Sequence, residues 1–274
     1  MIYNIIFGNV GGIRTASRQE IATNFFKLQK ADFSILMESH ISFKQYHGLK
    51  NMWDGDIYYA PGKELSAGIT LLTSPKAPEI TNIDTDQNGR YLIFDIKNTK
   101  DTVLAIHAPS GVSPKIRKER ANFFSKIEKK MENRSKKTEN FLLFGDFNTT
   151  LEKPDRSRKT IQKDCPSHIS LRQLINKFNL EDVWRKKNPK TECYTHYHAA
   201  TNTSSRIDRV YTTDFINGLI EVKHEINSFS DHYNFIALKR KTKQVEKNKS
   251  YWILDPSIIK EEQFNEQIKA FWQI

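Results

Sequence analysis

The chain has 274 residues, enough for one large domain with a sizeable core, and its 43 Lys and Arg against 32 Asp and Glu leave a net charge of +11. That field favours an anionic partner, nucleic acid or an anionic membrane surface. Two cysteines, Cys165 and Cys193, are too few for a disulfide framework and point to a reducing, intracellular compartment. No apolar run approaches the ~20 residues that cross a bilayer, so a membrane-spanning role is excluded. The N-terminus alternates apolar and polar residues and reads as a strand, not a signal peptide.

In chain order, residues 2–7 form the first predicted strand, followed by a turn at Asn9-Val10-Gly11-Gly12. Ser17, with Glu20 three residues on, is the expected N-cap of a helix with Ile21, Phe25 and Leu28 on one stripe. Residues 33–37 read as a buried strand ending at Glu38, and residues 57–60, 69–72, 91–96 and 103–107 as further strands punctuated by Gly, Pro, Asn and Asp. Pro114 opens a helix carrying Ile116, Phe123, Phe124, Ile127 and Met131, with its lysines on the solvated side. Four apolar residues, Phe141 to Phe144, then run into Gly145, expected to turn the backbone, and on to Asp146 and Asn148. Residues two apart on extended chain point the same way, so both side chains would share one pocket, unless they merely close an Asx turn.

A helix bearing Leu171, Leu174, Ile175 and Phe178 comes next. Residues 194–199 and 206–211 read as two strands joined by a polar segment, a hairpin able to reach into a DNA groove. Residues 221–226 and 235–239 complete the sheets, with Ser230-Asp231-His232 between them. From Lys239 to Lys249 the chain turns basic and apolar-poor, like a linker. Beyond it Tyr251 to Pro256 leads into a helix with Phe264, Ile268, Phe271 and Trp272 on one stripe, which reads as cut short of a following domain.

Five predicted strand ends thus carry Asn, Glu, Asp or His. Asn9, Glu38, His107-Ala108-Pro109-Ser110, Gly145-Asp146-Phe147-Asn148, Arg206-Ile207-Asp208-Arg209 and Ser230-Asp231-His232, in that order, resemble the endonuclease/exonuclease/phosphatase family. Asp155-Arg156-Ser157, Asp182-Val183-Trp184 and Tyr194-Thr195 bring the likeness nearest to the apurinic-endonuclease-like domain of LINE-type non-LTR retrotransposon proteins, over about residues 1–240. The resemblance implies a DNase I-like α/β fold, a four-layer α/β/β/α sandwich of two packed mixed β-sheets flanked by helices. It also implies an endonuclease domain over 1–240. Residues 241–274 would be a basic linker and helical segment leading toward a reverse transcriptase.

A phosphodiester repels nucleophiles, so its hydrolysis needs charge neutralisation, a positioned water and help for the leaving oxygen. Glu38, with Asn9 and Asp231, would hold Mg²⁺, or Mn²⁺, through oxygen ligands. Asp146 would activate water and Asn148 would fix it. His232, paired with Asp208, would donate to the phosphate. DNA contact is expected from Ser110, Arg117, Arg156, Thr195, Tyr197, Arg206 and Ser230. Two positions depart from the family: Gly11 where Asp or Asn is common, leaving Glu38 to carry more of the metal, and His107 in place of a phosphate-contacting tyrosine, with Ser110 in place of an asparagine.

The resemblance implies a Mg²⁺-dependent endonuclease that nicks one strand of duplex DNA in the nucleus. The 3′-hydroxyl it leaves would prime reverse transcription, with element RNA and a C-terminal reverse transcriptase as partners and no membrane. An abasic-site repair endonuclease, another phosphoesterase of the same family, and a catalytically weak nucleic-acid-binding module are the alternatives.

Overall fold

In the computed structural model, described for residues 1–62, 66–158, 165–227, 229–232 and 234–243 together with position 266, the elements follow one another as β1 (Ile2–Asn9), α1 (Ala16–Gln29), β2 (Phe33–Met37), α2 (Phe43–Met52), β3 (Ile57–Ala60), β4 (Ile69–Thr73), β5 (Ile80–Thr85), β6 (Tyr91–Ile96) and β7 (Asp101–His107). Then come α3 (Pro114–Ser135), β8 (Asn140–Asp146), α4 (Pro166–Lys177), β9 (Glu181–Asp182), α5 (Val183–Lys187), β10 (His196–His198), β11 (Thr203–Ser205), β12 (Asp208–Thr212), α6 (Phe215–Gly218), β13 (Leu219–Ile226) and β14 (Asn234–Lys241). One compact unit spans Met1–Gln244. The tail helix and most of the expected basic linker lie outside the described residues. Lys241 closes β14, one residue past the boundary expected at 240.

Two six-stranded mixed sheets, ordered β13-β14-β1-β2-β4-β3 and β5-β6-β7-β8-β12-β9, form the inner layers. Alternation explains the layering, because successive side chains of a strand point to opposite faces. On β1, Tyr3, Ile5 and Phe7 turn to the inter-sheet core, where they meet Phe94, Val103, Ala105, Leu142 and Phe144. Ile6 of the same strand faces outward, with Ala22 and Phe26 of α1 and Leu49 of α2. On the opposite side Ile93, Leu104, Ile106 and Leu143 pack beneath Phe124, Ile127 and Met131 of α3 and Leu171 and Leu174 of α4. Each such fully buried side chain contributes about 1.5–3 kcal/mol of transfer free energy. The result is the four-layer α/β/β/α sandwich.

A buried polar cluster also joins the sheets: Arg240 of β14 donates to both carboxylate oxygens of Asp101 on β7, at 3.0 and 3.2 Å, and the Tyr3 hydroxyl donates to Asp101 Oδ2 at 2.6 Å.

Several local expectations need correction. Thr15, not Ser17, caps α1, its hydroxyl accepting from Arg18 N, and the buried face carries Gln19, Ala22, Thr23 and Phe26 while Ile21 and Leu28 are exposed. Gly145 does not turn the chain: it lies inside β8, where a Cβ would stand 2.6 Å from the Ile106 carbonyl oxygen, so the glycine permits close approach of β7 and β8. The hairpin is β10 with β11, His196 opposite Ser205, whereas β12 pairs with β8, Asp208 opposite Asp146.

Candidate active site

The strand ends converge as the two sheets pack. Parallel pairing of β1 with β2 puts Asn9 beside Met37, one residue before Glu38, and parallel pairing of β7 with β8 puts His107 beside Asp146. Antiparallel pairing of β8 with β12 adds Asp208. Glu38 follows its strand in the left-handed region, φ 51°, as does Asn148, φ 45°, so both side chains are aimed by backbone that few residues adopt.

Asn9 Nδ2 stands 3.0 Å from Glu38 Oε1 and 3.4 Å from Asp146 Oδ2. Its Oδ1 accepts from Gly11 N at 3.0 Å, which fixes the amide with its NH₂ toward the carboxylates. Asn9 therefore lies between Glu38 and Asp146, with its Nδ2 also 3.3 Å from His232 Nε2. His107 Nε2 is 3.0 Å from Glu38 Oε1, off the line of a hydrogen bond, and 4.0 Å from Asp146 Oδ2. Its Nδ1 is 3.2 Å from Arg90 Nη1. With 2% of its surface exposed, His107 braces Glu38 from behind and does not reach outward to a phosphate as expected.

Asp146 is buried, and its Oδ1 accepts from Asn148 N at 2.9 Å, the Asx turn. The two residues nonetheless line the same cavity, through this turn rather than through extended chain. Asn148 Nδ2 donates to Ala108 O at 3.0 Å, leaving Oδ1 without a protein partner among the described residues. Burial, and then the Asp208 carboxylate, push the Asp146 carboxyl up, giving it more affinity for a proton than an ordinary aspartate. His232 Nδ1 stands 2.7 Å from Asp208 Oδ2, and His232 Nε2 is 3.8 Å from Asp146 Oδ2. Burial opposes charge on this ring, but Asp208 and Asp146 outweigh it and raise its pKa to about 10, so His232 is a cation at neutral pH.

Asn9, Glu38, Asp146, Asn148 and His232 line a cavity of about 590 Å³ that Arg117, Arg120, Arg156 and Arg158 line as well. Arg120 is buried and donates to the Pro109 and Gly111 carbonyls, so it shapes the loop that bears Ser110. Ser110, Arg117 and Arg156 line the cavity, and Tyr197 is 40% exposed on the hairpin.

Three expected DNA contacts are structural instead. Thr195 is fully buried, its hydroxyl accepting from Ile207 N and Asp208 N. Arg206 is 1% exposed and held at 2.8 Å by Asp155 and 2.7 Å by Asp182. Ser230 donates to Asn9 O at 2.6 Å and accepts from His232 N, tying β1 to the Ser-Asp-His loop.

Sequence reasoning missed Arg90, His196 and Asn227. Arg90 lies across β6 and β7 from His107, whose N–H donates to the Arg90 carbonyl at 2.9 Å. The His196 ring lies against His232, tilted by 49° with centroids 4.8 Å apart, and the Asn227 amide donates to the His232 carbonyl. No spacing along the chain marks these three, because each acts through strand register or a turn.

Among the described residues, two trios bring ligand-type atoms within 4.8 Å of one another, Glu38-His107-Asp146 and Asp146-Asp208-His232. In the second, Asp208 and Asp146 favour a proton on the His232 ring, which leaves that imidazole without a free lone pair for a metal. Open to the cavity are the carboxylates of Glu38 and Asp231, the latter 70% exposed and 3.9 Å from His196. The His107 and His40 rings and the Asn9 amide beside Glu38 overcome its burial and hold its carboxyl well below the usual range, so it offers a full negative charge. Carboxylate oxygens of this kind fit a hard divalent cation. At Gly11, φ 56°, a Cβ would sit 3.7 Å from Asp231 Oδ1, so the glycine leaves the space beside Asp231 open.

Three solved structures share this architecture: an AP endonuclease from Archaeoglobus fulgidus (TM-score 0.69, 14% identity, 86% of this chain and 98% of that one), the APE2 catalytic domain of Xenopus laevis (0.71, 16%, 90% and 94%), and the 3′ phosphatase NExo from Neisseria bound to a product DNA hairpin (0.72, 14%, 87% and 99%). In sequence the chain is 27% identical over 271 residues to the transposon TX1 uncharacterized 149 kDa protein of Xenopus laevis, across 97% of this chain and 20% of that protein. It therefore spans about a fifth of the length of the curated relative it matches. The endonuclease/exonuclease/phosphatase family model matches residues 9–232, from the asparagine that ends β1 to the histidine paired with Asp208. A match bounded by these two site residues and covering most of the chain makes it a member of the endonuclease/exonuclease/phosphatase family, a family of hydrolytic nucleases and phosphoesterases.

Proposed function

We propose that this chain is a Mg²⁺-dependent endonuclease that nicks one strand of duplex DNA and leaves a 3′-hydroxyl for reverse transcription, working in the nucleus as part of a longer transposon protein. The observation that carries the reading is the Asp208–His232 pair, 2.7 Å apart, with His232 Nε2 3.8 Å from Asp146 Oδ2 in a cavity that Arg117, Arg156 and Arg158 also line. Likeness to the transposon protein along 97% of the chain supports the retroelement context, with reverse transcriptase and element RNA as partners.

A hard divalent cation, when bound, neutralises phosphate charge, and Glu38 with Asp231 would hold it. The other steps belong to the chain. Asp146 takes the proton of the attacking water, which Asn148 Oδ1 orients as an acceptor. His232, kept cationic by Asp208, donates to a phosphate oxygen as the water oxygen bonds phosphorus and the P–O3′ bond breaks, and the departing 3′-oxygen takes a proton from solvent to leave as the hydroxyl. Arg117 and Arg156 hold the DNA backbone along the cavity, with Ser110 and Tyr197 beside them.

Conversion of supercoiled plasmid to open circles, with and without Mg²⁺, tests the reading against Asp146→Ala and His232→Ala. Metal-dependent nicking lost in both variants, with DNA binding kept, is the expected result. Binding without nicking by the wild type would replace it with the binding-module alternative, and cleavage confined to abasic DNA with the repair alternative.

A further inference from the structure

Glu38, His107 and Asp146 place one imidazole nitrogen and two carboxylates within 4.8 Å of one another, a donor set that suits zinc as well as any hard cation. Whether nitrogen takes part depends on which ring atom of His107 carries the proton. Register settles that point. His107 N–H bonds to the Arg90 carbonyl, so the two residues face each other across the antiparallel pair of β6 and β7, and Arg90 Nη1 comes to 3.2 Å from His107 Nδ1. A guanidinium has donors only and keeps its proton throughout the working pH range. Nδ1 must therefore accept, and the ring proton resides on Nε2. That N–H points into the gap between Glu38 Oε1, at 3.0 Å, and Asp146 Oδ2, at 4.0 Å. A protonated nitrogen cannot ligate a metal.

We infer that Arg90 is a specificity-determining, positioning residue: by donating to His107 Nδ1 it keeps the Nε2 proton in place, withholds nitrogen from the ligand set, and reserves the centre for cations that accept oxygen alone. Arg90 acts only through His107. Its own charge also disfavours every cation nearby, so the signature of the tautomer is a change in preference between metals, not in affinity as such. His40 Nε2, 3.5 Å from Glu38 Oε2, is the other imidazole nitrogen beside this carboxylate, and no contact joins it to Arg90 among the described residues. With Arg90 replaced by a side chain that cannot donate, the His107 proton moves to Nδ1, and Nε2 gains a lone pair facing two carboxylates.

The inference rests on the proposed reaction only for the identity of the cation, since the tautomer is read in metal-free protein. ¹⁵N NMR of the full chain is expected to show His107 as the Nε2–H tautomer in the wild type and in Arg90→Lys, and as Nδ1–H in Arg90→Met. Zn²⁺ and Mg²⁺ affinities, measured by competition with a chromophoric chelator, should show the ratio shifting toward Zn²⁺ by about tenfold or more in Arg90→Met, the scale on which residues behind a ligand tune metal affinity. The shift should vanish in Arg90→Met/His107→Phe, which keeps the charge change and removes the nitrogen. An Nδ1–H tautomer in the wild type overturns the inference without any variant having to fold. A Zn²⁺ shift that is absent, or that survives in the double variant, overturns it too. Failure of plasmid nicking would count against the reaction and leave the tautomer result standing.

Discussion

His232 Nδ1 stands 2.7 Å from Asp208 Oδ2, and the pair is held from three sides: the Asn227 amide on the His232 carbonyl, Ser230 Oγ on the His232 N–H, and Thr195 Oγ1 on the Asp208 N–H. The two side chains form one unit, since Asp208 supplies the charge that keeps the imidazole cationic and the imidazole supplies the donor. Asp208→Ala and His232→Ala are each expected to lower kcat for nicking by about 10²–10³, the cost of one transition-state donor. The double variant should lose little more than the worse single one, because a unit is broken once. Additive losses in single-turnover kinetics would show that the two act separately.

Glu38 Oε1 accepts from Asn9 Nδ2 at 3.0 Å, and His107 Nε2 also lies 3.0 Å from it. Glu38→Gln keeps the shape and removes the charge. The Mg²⁺ concentration for half-maximal nicking should rise by about tenfold or more, while duplex binding without metal stays as in the wild type. An unchanged Mg²⁺ titration would move the cation away from Glu38.

Much of this site was legible because its residues end strands. The apolar run Phe141 to Phe144 has no other use than a strand covered on both faces, and whatever follows such a strand emerges at an edge of the sheet. What escaped depends on pairing. Arg90 reads as a plain loop cation until register sets it opposite His107, and Arg206 reads as a DNA-facing arginine until Asp155 and Asp182, 51 and 24 residues away, close on it. Edge strand β5 carries Thr, Asn and Asp with little burial and a register shift, so its alternation is lost. The cap of α1 was displaced by two residues because Thr15 and Ser17 are both able caps, and only the packing of Ala22 and Phe26 chooses between them.

Arg206 and Arg156 adjoin the same hairpin and should behave in opposite ways. Arg206→Ala removes the nearest partner of Asp182 and one partner of Asp155, which keeps Arg185 at 2.8 Å, in buried surroundings where breaking a pair costs about 3–5 kcal/mol. At about 2–4 °C per kcal/mol for a chain near this size, Tm should fall by roughly ten degrees. Lysine should not restore it, since one ammonium cannot span both carboxylates. Arg156 lines the cavity, and Arg156→Ala should leave Tm unchanged while reducing the slope of log Kd for duplex DNA against log salt by about one. A stable Arg206→Ala protein with weakened DNA binding would return Arg206 to the DNA interface.

Acid should unfold this protein partly through Asp101. Its carboxyl is buried, which alone would raise its pKa, but Arg240 and the Tyr3 hydroxyl outweigh burial and hold it below the ordinary aspartate value. The folded carboxylate therefore takes up its proton at lower pH than the unfolded one, whose pKa is about 3.9. Stability from this group is fully present above that unfolded value and drains away as pH falls through it toward the folded pKa. Urea unfolding at a series of pH values from neutral to acid should show Asp101→Asn less stable than wild type at neutral pH, with the gap narrowing as the wild-type carboxylate protonates. A gap constant with pH would mean that the two inter-sheet bonds from Arg240 contribute through packing and not through charge.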